Sequence, residues 1–152
     1  MANPWKETPA GSAAVPGTAT LLGLAGLIPF FIAPIALWLD ARHTALYAEL
    51  LANYALAIIC FLVGIWWGLA LIRRSASALI ISNAVVLVAF ASRSLLTYPP
   101  FFGVCAALFV FTVMLERRHR LFKPQPTYYA RLRLGLSAVA AIMLTSAAVL
   151  VG

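Results

Sequence analysis

Acidic residues are nearly absent from this chain: four Asp and Glu stand among 152 residues, beside two His and two Cys. Charged side chains of both signs make up 10% of the sequence, against about 25% in an ordinary soluble domain. So few cannot cover a soluble domain of this length, because about a third of the accessible area stays in water after folding.

Each shortage excludes a class of chemistry. Asp40, Glu49 and Glu116 fall at predicted helix ends, so no carboxylate is expected at mid-membrane depth, where proton-coupled carriers place theirs. His43 and His119 fall in connectors on opposite sides and cannot supply two axial ligands to one haem. Cys60 and Cys105 lie inside apolar runs with no CxxC spacing, which reads as small buried hydrophobes rather than metal or redox centres. There is no G-x-S-x-G elbow and no nucleophile–base pair. The expectation is a protein that is not an enzyme, with no catalytic residue, metal ligand or cofactor.

What the chain has is apolar length: 64% of its residues are hydrophobic. Residues 1–19, with Pro4, Pro9, Pro16, Gly11 and Gly17, read as a flexible tail, and residues 20–152 as one transmembrane domain. Spans are expected at about 21–39, 50–72, 76–96, 99–116 and 132–151. The first, at 1.5 Å rise per residue, reaches roughly 28 Å, enough for a hydrocarbon core of about 30 Å. Pro29 and Pro34 should kink it. Tyr98, Pro99 and Pro100 should break the chain before the fourth span, whose strictly apolar part, 101–115, is short. The fold class is therefore all-α, a polytopic bundle of five transmembrane helices.

The basic residues divide unequally between the two sides. Lys6, Arg73, Arg74, Arg117, Arg118, Arg120, Lys123, Arg131 and Arg133 fall on one, Arg42 and Arg93 on the other. Because Lys and Arg are retained in the cytoplasm, the N-terminus is expected there. The 116–133 loop would lie against anionic lipid headgroups. A contiguous basic face of the kind nucleic acid requires is missing, so nucleic acid is not an expected partner.

Several residues invite specific readings. Gly64 and Gly68 form a G-x-x-x-G pair, and Gly23 and Gly26 a second small-residue face, suited to close helix approach. Trp67, Tyr128, Tyr129, Arg131 and Arg133 read as anchors at the interface. Arg93 can snorkel to the surface or pair with Asp40 or Glu49. Asn53, Tyr54, Ser82 and Asn83 read as interhelical hydrogen-bonding groups or as the lining of a polar cavity for a quinone-like or lipid ligand.

Three segments taken together carry a resemblance: LGLAGLIPF (Leu22–Phe30), FLVGIWWGLAL (Phe61–Leu71) and YYARLRL (Tyr128–Leu134). In order and spacing they resemble the domain of unknown function 3429 family, which includes the animal transmembrane protein 69. The resemblance covers about residues 20–150. It implies a multi-span protein of the bacterial inner membrane or, as the second choice, the mitochondrial one. It also marks Gly64, Trp67, Gly68, Arg131 and Arg133 as positions to watch, and notes that Trp66 stands where the family pattern often has a polar residue. The resemblance implies no reaction. The function expected is a non-enzymatic accessory or assembly subunit that packs against other membrane subunits or a second copy. The alternative is a small-molecule, quinone or lipid-binding protein acting as a transporter or channel.

Overall fold

The structure is a computed structural model that describes residues 14–122 and 127–152. Its described part is helical: α1 (Ala14–Ala25), α2 (Ile28–Leu39), α3 (Thr44–Ile72), α4 (Ala76–Leu95), α5 (Tyr98–Arg118) and α6 (Thr127–Val151). Five segments among the described residues are long and apolar enough to cross a membrane, with α1 and α2 joined end to end as the first. Only 22–39% of an 18-residue apolar stretch of each crossing is buried within the bundle, and large apolar side chains such as Leu21, Ile32, Phe61, Ile80 and Val149 stand exposed. Lipid is the solvent that accepts such a surface, and the chain is a multi-pass membrane protein.

The helix ends depart from the expected bounds in ways that backbone chemistry explains. The first helix begins at Ala14, inside the segment expected to be a tail; residues 1–13 of that tail lie outside the described residues. Pro16 sits in its first turn, where a missing N–H costs nothing. The break in the first crossing falls at Gly26–Leu27, just ahead of Pro29, which has no N–H to give the Ala25 carbonyl. Leu27 N instead donates to Leu24 O at 3.0 Å, tightening the end of α1, and the Gly26 carbonyl accepts from Tyr54 Oη at 2.8 Å. Pro99 and Pro100 do not break the chain ahead of α5. They start it, so the fourth crossing has 21 residues and is not short.

The second crossing starts at Thr44 rather than near residue 50, which puts Glu49 inside α3 and not at its end. At 1.5 Å per residue α3 is roughly 43 Å long, so its first turns stand beyond a core of about 30 Å. The last helix likewise begins at Thr127, which draws Tyr128, Tyr129 and Arg131 into it.

The helices pack through stripes that repeat every three or four residues. On α3 the buried stripe includes Ala48, Ala52, Ala55, Ile59, Val63, Trp66 and Ala70. On α4 it is Ala78, Ser82, Val85 and Ala89, and on α6 Arg133, Ser137, Ala140, Leu144 and Ala147. A repeat close to the 3.6 residues of a helical turn keeps one seam facing its neighbour, and small side chains let backbones approach closely. α5 and α6 form the largest interface, followed by α3 with α4, while α3 also touches α2 and α5.

Candidate functional site

Two charged side chains occupy the core stripes at the Arg-rich end. Glu116, in the last turn of α5, and Arg133, six residues into α6, are each 6% exposed. Arg133 Nε lies 3.3 Å from both carboxylate oxygens of Glu116. Trp66 on α3 donates its indole N–H to Glu116 Oε1 at 2.8 Å, Arg133 Nη1 donates to Ser137 Oγ at 2.7 Å, and Nη2 reaches Thr112 Oγ1 at 3.5 Å. Three helices are thereby tied at one point. In a low-dielectric interior such a pair persists only when paired and hydrogen-bonded, and here both conditions are met.

A short segment closes this network from the end of the bundle. Leu121 and Phe122 are buried, and the Phe122 ring packs 5.3 Å from that of Trp66. Arg73 donates to the Leu121 carbonyl. Leu121 N donates to His119 Nδ1 at 3.1 Å, so the ring is an acceptor there and its Nε2–H faces Ser77 Oγ at 3.2 Å.

Beside the network lies a cleft of about 390 Å³ between the first crossing, α3 and α6. Its walls are almost wholly apolar, with Leu22, Gly23 and Phe30 on one side, Ile58, Phe61, Leu62 and Ile65 on another, and Leu136 and Ala140 on the third. Leu22, Phe61 and Ile65 at its rim are exposed, so it opens sideways toward lipid. The polar groups on its wall, Tyr129, Arg133 and Ser137, are spaced i, i+4, i+8 on α6 and so share one face. Tyr129 Oη has no hydrogen-bonding partner among the described residues. Gly23 holds α1 close to α6, since a Cβ there would come within 2.7 Å of Leu136 Cδ1.

The opposite end carries a more open cluster. Arg93 Nη2 pairs with Glu49 Oε2 at 2.5 Å, and the same carboxylate accepts from Tyr98 Oη at 2.6 Å and, at Oε1, from Asn53 Nδ2 at 2.9 Å. The Arg93 guanidinium also lies 5.5 and 5.8 Å from the centres of the Tyr98 and Phe101 rings. Asp40 takes no part in this; it accepts from the Arg42 N–H at 3.1 Å and Tyr47 Oη at 3.1 Å and bonds His43 Nδ1 at 2.8 Å. The His43 bond, above all, holds its carboxyl below the ordinary range.

The remaining residues singled out in the sequence separate into those that meet and those that do not. Arg133 is not an anchor at the headgroups but a core residue, because its position continues the small-residue stripe of α6. Trp67, Tyr128 and Arg131 are exposed near the Arg-rich end. Among the described residues Gly64 and Gly68 pack against no other helix: a Cβ on either meets nothing within 4 Å, since both lie off the buried stripe of α3. Asn53, Tyr54, Ser82 and Asn83, the groups expected to bond between helices or line a polar cavity, each make a hydrogen bond within the bundle. Ser82 and Asn83 both donate to the Leu79 carbonyl of their own helix, at 2.9 and 2.8 Å, and Tyr54 and Asn53 bond Gly26 and Glu49.

Glu116 and Trp66, which sequence reasoning passed over as functional, are the residues that join Arg133. The model of the family described as "Protein of unknown function (DUF3429)" matches residues 15–149, and the chain belongs to that family. No curated protein and no solved structure matches it.

Proposed function

We propose that this family member is a non-catalytic membrane protein that holds a lipid-like molecule in the cleft between its first, second and last crossings. The observation that carries this reading is the cleft itself: apolar walls at membrane depth, a lateral opening, and three polar side chains on one face of α6. Its volume of about 390 Å³ falls within the 300–1,000 Å³ or so typical of small-molecule sites. An apolar tail would replace lipid against Leu22, Phe61 and Leu136, while its polar end would meet Tyr129, Arg133 and Ser137. The membrane is the bacterial inner membrane. The asymmetry of Arg73, Arg74, Arg117, Arg118 and Arg131 supports a cytoplasmic N-terminus, with those residues against anionic headgroups.

Extraction in mild detergent, followed by mass spectrometry of the bound lipid fraction, tests the reading. Wild-type protein is expected to retain one molecular class, and Leu136→Trp, which fills the cleft, to lose at least about tenfold of it, equivalent to 1.4 kcal/mol. Identical lipid content in the two proteins overturns it.

A second reading rests on a different face. Gly64 and Gly68 leave an open groove on α3 flanked by exposed Ile65, Trp67 and Leu71, which supports an accessory subunit docking a partner's helix there. Replacing both glycines with Leu is expected to release a co-purifying membrane subunit without changing the unfolding temperature. Retention of the same partner counts against it.

A further inference from the structure

The charge balance behind the cleft says what kind of polar end it accepts. Arg133 lines the cleft, and Glu116 stands behind it, outside the lining. The pair is neutral as a unit, and both members are buried. Of the five N–H donors a guanidinium carries, three are directed at Glu116, Ser137 and Thr112. The two that remain, with the Tyr129 hydroxyl, which has no hydrogen-bonding partner among the described residues, give the polar wall a surplus of donors. Of the carboxylate oxygens, Oε1 accepts from both Trp66 and Arg133 Nε, and Oε2 lies 3.3 Å from the same Nε.

A ligand with a free carboxylate or phosphate would therefore bring an uncompensated negative charge into an apolar cleft, because Glu116 already neutralises the arginine. A cation would meet a guanidinium with only the hydroxyl oxygens of Tyr129 and Ser137 to offset it. A neutral acceptor has neither difficulty. It takes an unused N–H and leaves the ion pair whole.

Resting on the lipid-binding reading above, we propose that the cleft takes a neutral carbonyl-bearing molecule with a long apolar tail. The carbonyl oxygen accepts from Arg133, and Glu116 acts as the positioning residue that sets the preference for neutral ligands. The carbonyl can belong to a quinone ring or to the ester of an uncharged diacylglycerol-type lipid. The shared chemistry is the neutral acceptor, and the choice between the two is an arm of the test.

The experiment measures displacement of a radiolabelled decyl-tailed benzoquinone, and separately of labelled dioctanoylglycerol, from the full chain in nanodiscs of zwitterionic lipid. Competitors are the same two compounds, decanoate and dioctanoyl phosphatidic acid. At least one neutral carbonyl compound is expected to bind about tenfold or more tighter than either anion, and which one does so identifies the source. Glu116→Gln, which leaves the arginine's charge unbalanced, is expected to shift that ratio about tenfold or more toward decanoate, whereas a merely structural glutamate would weaken all ligands together. Should E116Q fail to fold, the wild-type ratio decides alone. Equal or tighter binding of decanoate by the wild type overturns the inference while leaving the lipid reading intact. Binding of none of the four compounds overturns both.

Discussion

Each end of the bundle sets an arginine against a glutamate, and the two pairs differ in what surrounds them. Arg133 and Glu116 are enclosed by Trp66, Thr112, Ser137 and the folded-back Leu121–Phe122 segment, with side chains 7% exposed. Arg93 and Glu49 stand 26% and 42% exposed, with Asn53 and Tyr98 as neighbours. The closed pair joins three helices where water cannot replace a lost partner. The open pair can be solvated or can snorkel, so its loss is repaired locally. Depth and enclosure, rather than the identity of the ion pair, decide how much the fold depends on it.

The comparison breaks most sharply at Glu116. Glu116→Leu strands Arg133 in the core and is expected to destabilise the protein by about 3–5 kcal/mol, the usual cost of removing one partner of a buried pair. Adding Arg133→Leu is expected to recover most of that loss, because the double variant buries no charge. Unfolding by a denaturing detergent from mild micelles reads both values. A double variant as unstable as the single one would show that the pair itself, and not the stranded charge, holds the helices together.

Two smaller substitutions sharpen the contrast. Trp66→Phe removes the indole donor to Glu116 while keeping a ring against Phe122, and is expected to cost about 1–3 kcal/mol for an acceptor left short of a partner. Arg93→Leu at the open end is expected to cost about 1 kcal/mol or less. If Arg93→Leu costs more than Trp66→Phe in the same assay, exposure is not what separates the two ends.

The five crossings were legible because apolar run length is a direct physical signal. The helix bounds were less so. Tyr47 and Glu49 look like a polar connector in composition, yet α3 continues through them, since Glu49 pairs with Asn53 at i, i+4 and Tyr47 bonds Asp40. The closed network was invisible to hydropathy, because every face of these helices is apolar. Its phase was nevertheless written in small residues: Ser137, Ala140 and Ala147 share a stripe with Arg133, as Ala52, Ala55 and Ala70 do with Trp66 rather than Trp67. That stripe also excludes Gly64 and Gly68, so the G-x-x-x-G spacing alone pointed to an internal contact the fold does not make. The bond from Trp66 to a carboxylate 50 residues away depends on how three helices meet, and no local pattern encodes it.

Asp40 provides the gentlest test of the open end. Its carboxyl is held below the ordinary range chiefly by His43, with the Arg42 N–H and Tyr47 hydroxyl adding to the effect and desolvation opposing it. A depressed carboxyl binds protons more weakly when folded than when unfolded, so its contribution is fully present above the unfolded value, near pH 4. That contribution is lost as pH falls through the lower native value. Wild type is therefore expected to be slightly more stable than Asp40→Asn at about pH 6, with the difference falling away as pH drops below about 4 and shrinking in high salt. The effect should be the smallest of those named, because the group stands near solvent where charges are screened. A difference that stays constant across that pH range would assign the role of Asp40 to its hydrogen-bonding shape rather than its charge.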